Sequence, residues 1–462
     1  MNVVLITLDA LRADHLGCFG YQRDTSPNLD RIGKKGILFT EAFAHAPYTT
    51  ASITALLSST LPFIPDNYFN ISQREPLPVI LNKHGIQTFG VHSNPWFSIY
   101  DYSAGFSKFI DPFKEGNTIK TKKQVIREKI STSEILKNSH VNRLIGNAYK
   151  KIRRTKIVRP YADAGVINNT VLTLMNNIPN KFFLWIHYMD THEPYIPHEF
   201  VFGSKISNVE IAKLMAKFKS CSKDITPEEQ KNIVNLYDNQ VRYLDQKIGE
   251  LLEALSKVCD FNKTLVIITS DHGQMLGERG LFGHAHKNIP LCFYDELIHV
   301  PLFIWCESIK ILERISKNGV FWKKIGLIDI APTILDIFEV DSNKKLIGQS
   351  LLRNFIEKPI ISQGLECKYP NQVKYFSSGI RKHCLRTEDY KLIYSEKKCL
   401  ELFDLKNDPN ESIDISAKQP KVAMRLLDQL QNTLSNYKKA YEDTEQIKIK
   451  YAVEKMLRSK KL

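Results

Sequence analysis

No apolar stretch in this sequence approaches the ~20 residues that a membrane-spanning helix requires, so nothing in it reads as a bilayer span. Its start, MNVVLITLDALRAD, has no cationic leader and passes from apolar residues straight into acidic ones, unlike a secretory signal. These two absences give the expectation of a cytoplasmic protein. Its basic charge leaves room for peripheral contact with an anionic membrane. Cysteine is sparse: eight residues are scattered over 462 positions with no CxxC pair, which excludes finger-type metal sites. Several stand in apolar runs, where a reduced core thiol is the plainer reading. Internal repeats and low-complexity tracts are also missing. What remains, 43% hydrophobic and 25% charged, is the composition of a folded globular chain.

The net charge of +14 is unevenly placed. Residues 119–160 carry thirteen Lys and Arg against Glu128 and Glu134, which leaves the body of the protein close to neutral. Apolar residues at helical spacing run through this segment (Ile126 and Ile130; Leu144, Ile145, Ala148 and Ile152). It reads either as a solvated insertion or as an amphipathic lid that attracts phosphate-bearing substrates or anionic lipid. Nucleic acid is not an expected partner, because there is no reader motif and Tyr149 is the only aromatic in the segment.

The chain is organised around residues 264–286, TLVIITSDHGQMLGERGLFGHAH. Its first part is a short β-branched run, the pattern of a strand buried on both faces. The run stops at Asp271-His272-Gly273, a carboxylate beside an imidazole and then a residue that permits a sharp turn. Ligands of open α/β sheets bind outside the carboxyl ends of the strands, and Asp with His there is metal-ligand chemistry. The plainer alternative is an Asp helix cap with a surface His. Residues 3–8 form a second such run and also end in an acid, Asp9, so the two suggest two walls of one metal site. Arg12 and Asp14 follow; a surface ion pair explains them as well as catalysis does.

Further hydroxyl, amide and imidazole groups fall at similar places. Residues 37–44 read as a strand leading to His45-Ala46-Pro47-Tyr48-Thr49-Thr50-Ala51-Ser52, where helical periodicity begins. A hydroxyl at a helix start is usually an N-cap, but free N–H groups there also suit an anionic substrate. Residues 79–91 read as helix, Gly turn and strand, placing Asn94 where it could donate to a substrate oxygen. Trp96 and Phe97 read as packing. Residues 182–187 are a third apolar strand, followed by His192, with His187 read as buried. Residues 226–255 form a long helix that starts at Thr-Pro-Glu-Glu. Beyond about 345, short runs separated by polar turns suit an antiparallel sheet, and 420–437 reads as helix.

Taken together, TLDALRADHLGCFGY, SPNLDRI, APYTTASITALLSS, WIHYMDTHEPY, TSDHGQMLGERG, YDELIHVPLFI, DIAPTILDI and LFDLKNDPNES resemble the sulfatase family of the alkaline phosphatase superfamily, in the family's order from residue 7 to about 412. The resemblance implies an α/β fold: a large mixed, mainly parallel sheet flanked by helices, with a small C-terminal antiparallel-sheet subdomain. On that basis the catalytic domain is 1–345 with 119–160 as a basic insertion, the subdomain 346–436, and a basic helical tail 437–462. The family's C-x-P-S-R nucleophile motif is here Thr49-Thr50-Ala51-Ser52-Ile53. A Thr cannot become formylglycine, because its Cβ carries a methyl group. The family's Asp pair is Asp9-Ala10, its Asp-Asn pair Asp271-His272, and the Lys and His of its GKWHLG segment fall near Ser93 and Asn94. The retained set is similar to that of phosphoethanolamine and phosphoglycerol transferases, which use a metal-bound Thr.

The resemblance therefore implies one divalent cation held by Asp9, Thr49, Asp271 and His272. Zn²⁺ or Mn²⁺ suits these ligands better than Ca²⁺ does. Thr49 would be the nucleophile, His192 or His284 would protonate the leaving oxygen, and Asn94 and Arg12 are counted as substrate-binding. The expected function is metal-dependent hydrolysis or transfer of phosphate or sulfate esters, with a glycan or lipid as the alcohol part. Two alternatives stand beside it: a true sulfuric ester hydrolase, and a non-catalytic binding protein on the same fold.

Overall fold

The computed structural model describes residues 1–64, 68, 71–117, 158–176, 181–284, 290–342, 346–367, 370, 377, 379–396 and 400–459. Most of the basic segment 119–160 thus lies outside the described residues.

The β-branched runs form adjacent strands of one sheet. Its members are Asn2–Leu8 (β1), Ile37–Phe39 (β2), Gln87–His92 (β3), Lys108–Ile110 (β4), Phe182–Tyr188 (β5), Thr264–Ser270 (β6), Leu302–Trp305 (β7) and Val320–Phe321 (β8), in the order β8-β2-β7-β6-β1-β5-β3-β4. Every neighbouring pair is parallel except those made by β7, which runs antiparallel to β6 and β2. The two-residue period of a strand sends Val4, Ile6 and Leu8 into one core layer and Val3 and Leu5 into the other. Covering both faces favours apolar residues along most of each strand, which is why these strands read as nearly continuous apolar runs, with Thr7, His187 and Thr269 buried among them.

Helices Pro27–Lys35 (α1), Ala164–Met175 (α3) and Pro227–Leu255 (α4) contribute to the first layer. Thr49–Ser58 (α2) and Ile330–Phe338 (α5) contribute to the second. The α4 start follows from its sequence. Thr226 accepts from Glu229 N, the Glu229 carboxylate reaches back to the cap, and Pro227 sits in the first turn. Caps of this kind are each worth about 1 kcal/mol. Further on, Ile360–Glu366 (β9), Ile380–Arg386 (β10), Tyr390–Ser395 (β11) and Leu400–Asp404 (β12) make an antiparallel meander, and Pro420–Ser459 (α6) packs on it through Ala423, Leu426 and Leu430. Among the described residues no helix is long and apolar enough to cross a membrane.

Candidate metal and nucleophile site

Parallel pairing of β6, β1 and β5 in register, with Leu8 opposite both Ser270 and Tyr188, brings the next residues of three strands together. Asp9 and Asp271 leave the sheet side by side, both fully buried. Ala10 adopts a left-handed backbone (φ 60°), uncommon for a residue with a Cβ. Its N–H donates to Asp271 Oδ1 at 3.2 Å, and His272 N donates to the same oxygen at 2.9 Å. Gly273 is required for space rather than for a turn, since a Cβ there would lie 2.0 Å from the Glu296 carbonyl oxygen.

Thr49 is the first residue of α2, and the extended Tyr48 holds the cap position. The Thr49 hydroxyl is therefore not a cap. It lies 3.3 Å from Asp9 Oδ2 and 3.2 Å from His272 Nε2. His272 Nδ1 donates to the Gly273 carbonyl at 2.8 Å, so Nε2 carries the lone pair that faces Thr49. Of the neighbouring hydroxyls, Ser52 donates to the Asp271 carbonyl at 2.6 Å. Ile53, at the family's Arg position, is buried in the core.

Two carboxylate oxygens at this point, Asp9 Oδ1 and Asp271 Oδ2, are buried without a hydrogen-bond partner. They lie 3.8 and 3.6 Å from His272 Nε2. Buried carboxylates left this way are costly unless something compensates their charge. A divalent cation does so, and the residues present fit one. Burial would raise the Asp9 carboxyl, yet His192, His187 and His272 hold it well below the usual carboxylate range. Burial and the Asp9 charge raise Asp271.

His187, read from sequence as a buried strand residue, also belongs to this group. Its Nδ1 lies 2.8 Å from Thr7 Oγ1 and its Nε2 3.3 Å from Asp9 Oδ2. Asp9, His187 and Asp271 can each offer one ligand atom within 4.8 Å of the others. Its signal was there to be seen, an imidazole at the carboxyl end of a third buried strand.

A second group lies alongside. The His284 ring is 4.4 Å from that of His272 and 5.1 Å from that of His192, centroid to centroid. Gln274, fully buried, donates from Nε2 to Glu193 Oε2 (3.0 Å) and to Tyr195 OH (2.8 Å), and its Oε1 lies 2.6 Å from His284 Nδ1. Burial would lower His192, but Glu193, Asp9 and Asp271 raise it. Asn94 turns its amide to Asp9 Oδ2 at 3.3 Å and accepts from Trp96 N at 3.0 Å. Arg12 is not placed to meet a substrate. Its guanidinium is buried between Asp14 and Glu278 and also donates to the Gln274 carbonyl, which makes it a brace for the 274–278 loop.

Asp190, just beyond β5, is fully buried and held at about 7 by its desolvation. Ala164 N at the start of α3 donates to Oδ1, while Oδ2 has no partner. Because the folded state binds this proton more tightly than the unfolded chain, stability falls as pH rises from about 4 to about 7, by on the order of 4 kcal/mol. Asp190→Asn is expected to be more stable than the wild type at pH 8, with the gap closing near pH 4. Thermal melts across that range check this, and parallel melting curves for the two proteins count against it.

Acids, an imidazole and a hydroxyl gathered at the carboxyl ends of a mainly parallel sheet define an enzyme of the alkaline phosphatase-like α/β class. The sulfatase family profile matches residues 1–340, and the chain belongs to that family. The profile for the C-terminal region of N-sulphoglucosamine sulphohydrolase matches residues 277–440. An arylsulfatase of Clostridium perfringens is 26% identical over 454 residues, covering 89% of each chain. The phosphonate monoester hydrolase of Agrobacterium radiobacter shares the fold with a TM-score of 0.68 at 17% identity, over 94% of this chain and 96% of its own. BT4656, solved with its substrate D-glucosamine-2-N,6-O-disulfate, does so with a TM-score of 0.65 at 18% identity, over 96% and 98%.

Proposed function

We propose that this protein hydrolyses anionic sulfate or phosphate monoesters in a metal-dependent reaction in which Thr49 is the nucleophile. The observation that carries the reading is the approach of the Thr49 hydroxyl to Asp9 and His272, beside two buried carboxylate oxygens that lack partners. Asp9, Asp271, His272 and Thr49 would hold the cation, with His187 supporting Asp9. When bound, the ion supplies charge neutralisation and a lower hydroxyl pKa. Asp9 Oδ2 and His272 Nε2 are the groups positioned to orient the Thr49 hydroxyl. The Thr49 hydroxyl gives its proton to Asp9 Oδ2, the acceptor it already faces, and Oγ bonds to sulfur or phosphorus as the bond to the leaving oxygen breaks. His192 or His284 delivers a proton to that oxygen, and water then releases the group from Thr49.

The arylsulfatase relatives support sulfate-ester hydrolysis at least as well as phosphoryl transfer. The sugar disulfate bound by BT4656 makes charged glycans the first class to test. Against this, a hydroxyl has no hydrated-aldehyde route for expelling sulfate, a physical reason to test phosphate esters equally. The decisive assay is a panel of aryl and sugar sulfates, phosphate monoesters and phosphodiesters with Mn²⁺, Zn²⁺ and Ca²⁺. Metal-dependent turnover of a monoester is expected. A protein that binds metal tightly and turns over nothing in the panel would instead be a binding protein.

A further inference from the structure

We infer that His192, Glu193 and His284 hold a second divalent cation beside the one assigned to Asp9, Thr49, Asp271 and His272. The inference rests on that first assignment and deepens it.

Each of the three residues can offer one ligand atom, and these atoms lie within 4.8 Å of one another. Their orientation is set from outside. The Glu193 carboxylate only accepts, so the Gln274 amide nitrogen turns to it, and Gln274 Oε1 is left to accept from His284 Nδ1–H at 2.6 Å. That bond puts the lone pair of the neutral His284 ring on Nε2. In His192 the Nδ1 lies 2.6 Å from the Glu193 carbonyl oxygen, which puts its lone pair on Nε2 as well. Histidines that ligate metals are held in this way, with the other ring nitrogen donating to an oxygen behind it. His272, in the first group, is anchored to the Gly273 carbonyl by the same device.

Charge points the same way. Asp9, Asp271 and Glu193 are three carboxylates gathered where the proposed reaction must admit an anion. Against one divalent ion they leave it net negative; against two, net positive. The nearby guanidinium of Arg12 is already paired with Asp14 and Glu278. Two imidazoles and a carboxylate suit Zn²⁺ or Mn²⁺ rather than Ca²⁺. The 4.4 Å between the His272 and His284 rings makes the two ion sites adjacent.

The test is metal stoichiometry. The full chain is stripped with chelator, titrated with Mn²⁺, and followed by elemental analysis and by electron paramagnetic resonance. Two equivalents are expected, with the spectrum of an exchange-coupled pair. His192→Ala/His284→Ala should bind one equivalent and show an isolated-ion spectrum. Gln274→Met, which removes the amide that holds both His284 and Glu193, should weaken the second equivalent 10- to 100-fold and spare the first. A wild type that binds one equivalent, kept in the double-histidine variant, overturns the second site and leaves the first intact. A wild type that binds none overturns both.

Discussion

Thr49→Ala is expected to lower turnover by at least about a thousandfold while the protein stays folded and keeps its metal. Removing a nucleophile takes away a bond made only along the reaction path, and losses of this size or larger are typical. Stability should change little. Thr49 does not cap α2, and its hydroxyl contacts within the site, to Asp9 and His272, are worth about 1 kcal/mol. Asp9, Asp271 and His272 remain to bind the ion, so elemental analysis separates loss of the nucleophile from collapse of the site. Thr49→Ser should recover part of the rate, since the hydroxyl returns without the methyl group that restricts its rotamer. Peptide mapping after a quench with substrate should place the sulfuryl or phosphoryl adduct on residue 49. An adduct on Thr50 or Ser52, or full turnover in the alanine variant, removes Thr49 from the mechanism.

The sheet was legible because burial on both faces leaves no choice of residue along β1, β5 and β6, and because each strand ends abruptly in a polar group. The register of the parallel strands brings Asp9 and Asp271-His272 together at their ends, and the start of α2 sets Thr49 against them. The less legible residues act sideways. His187 continues an apolar strand, so its alternation says core, and only the Thr7–His187 pairing shows that its ring reaches Asp9. Gln274 and Glu193 are eighty-one positions apart and look like surface residues until the fold buries an amide between a carboxylate and an imidazole. Arg12 fails for the opposite reason. A cation next to a site is expected to meet an anionic substrate, but Glu278, far along the chain, returns to pair with it. Gly273 shows the same limit, because its neighbour, the Glu296 carbonyl, is set by tertiary packing and not by a local turn.

Asp271→Asn should abolish the stabilisation conferred by metal at the Asp9–Thr49–Asp271–His272 site while making the metal-free protein more stable than the wild type. The two effects have one origin. In the wild type without metal, Asp9 and Asp271 set two buried carboxylates against each other, and burial with the Asp9 charge is what raises Asp271. The amide keeps an oxygen where Oδ1 accepts from Ala10 N and His272 N, so those backbone donors stay paired. At Oδ2, where the structure shows no partner, it replaces a negative charge with a neutral donor. Repulsion is relieved, and a ligand is lost. For the wild type, metal at a hundred times its dissociation constant adds about 2.7 kcal/mol of stability, and the melting temperature should rise with metal concentration. For Asp271→Asn the melt should start higher in chelator and rise less than the wild type as Mn²⁺ or Zn²⁺ is added; combined with His192→Ala/His284→Ala, it should stay flat. Asp271→Ala is the harsher control: it also strands the two backbone donors, at about 1–3 kcal/mol each, and should melt lower than the asparagine variant in chelator. A metal-dependent rise in Asp271→Asn equal to that of the wild type would mean that the ion binds elsewhere, and the site built on Asp9, Thr49, Asp271 and His272 would have to be given up.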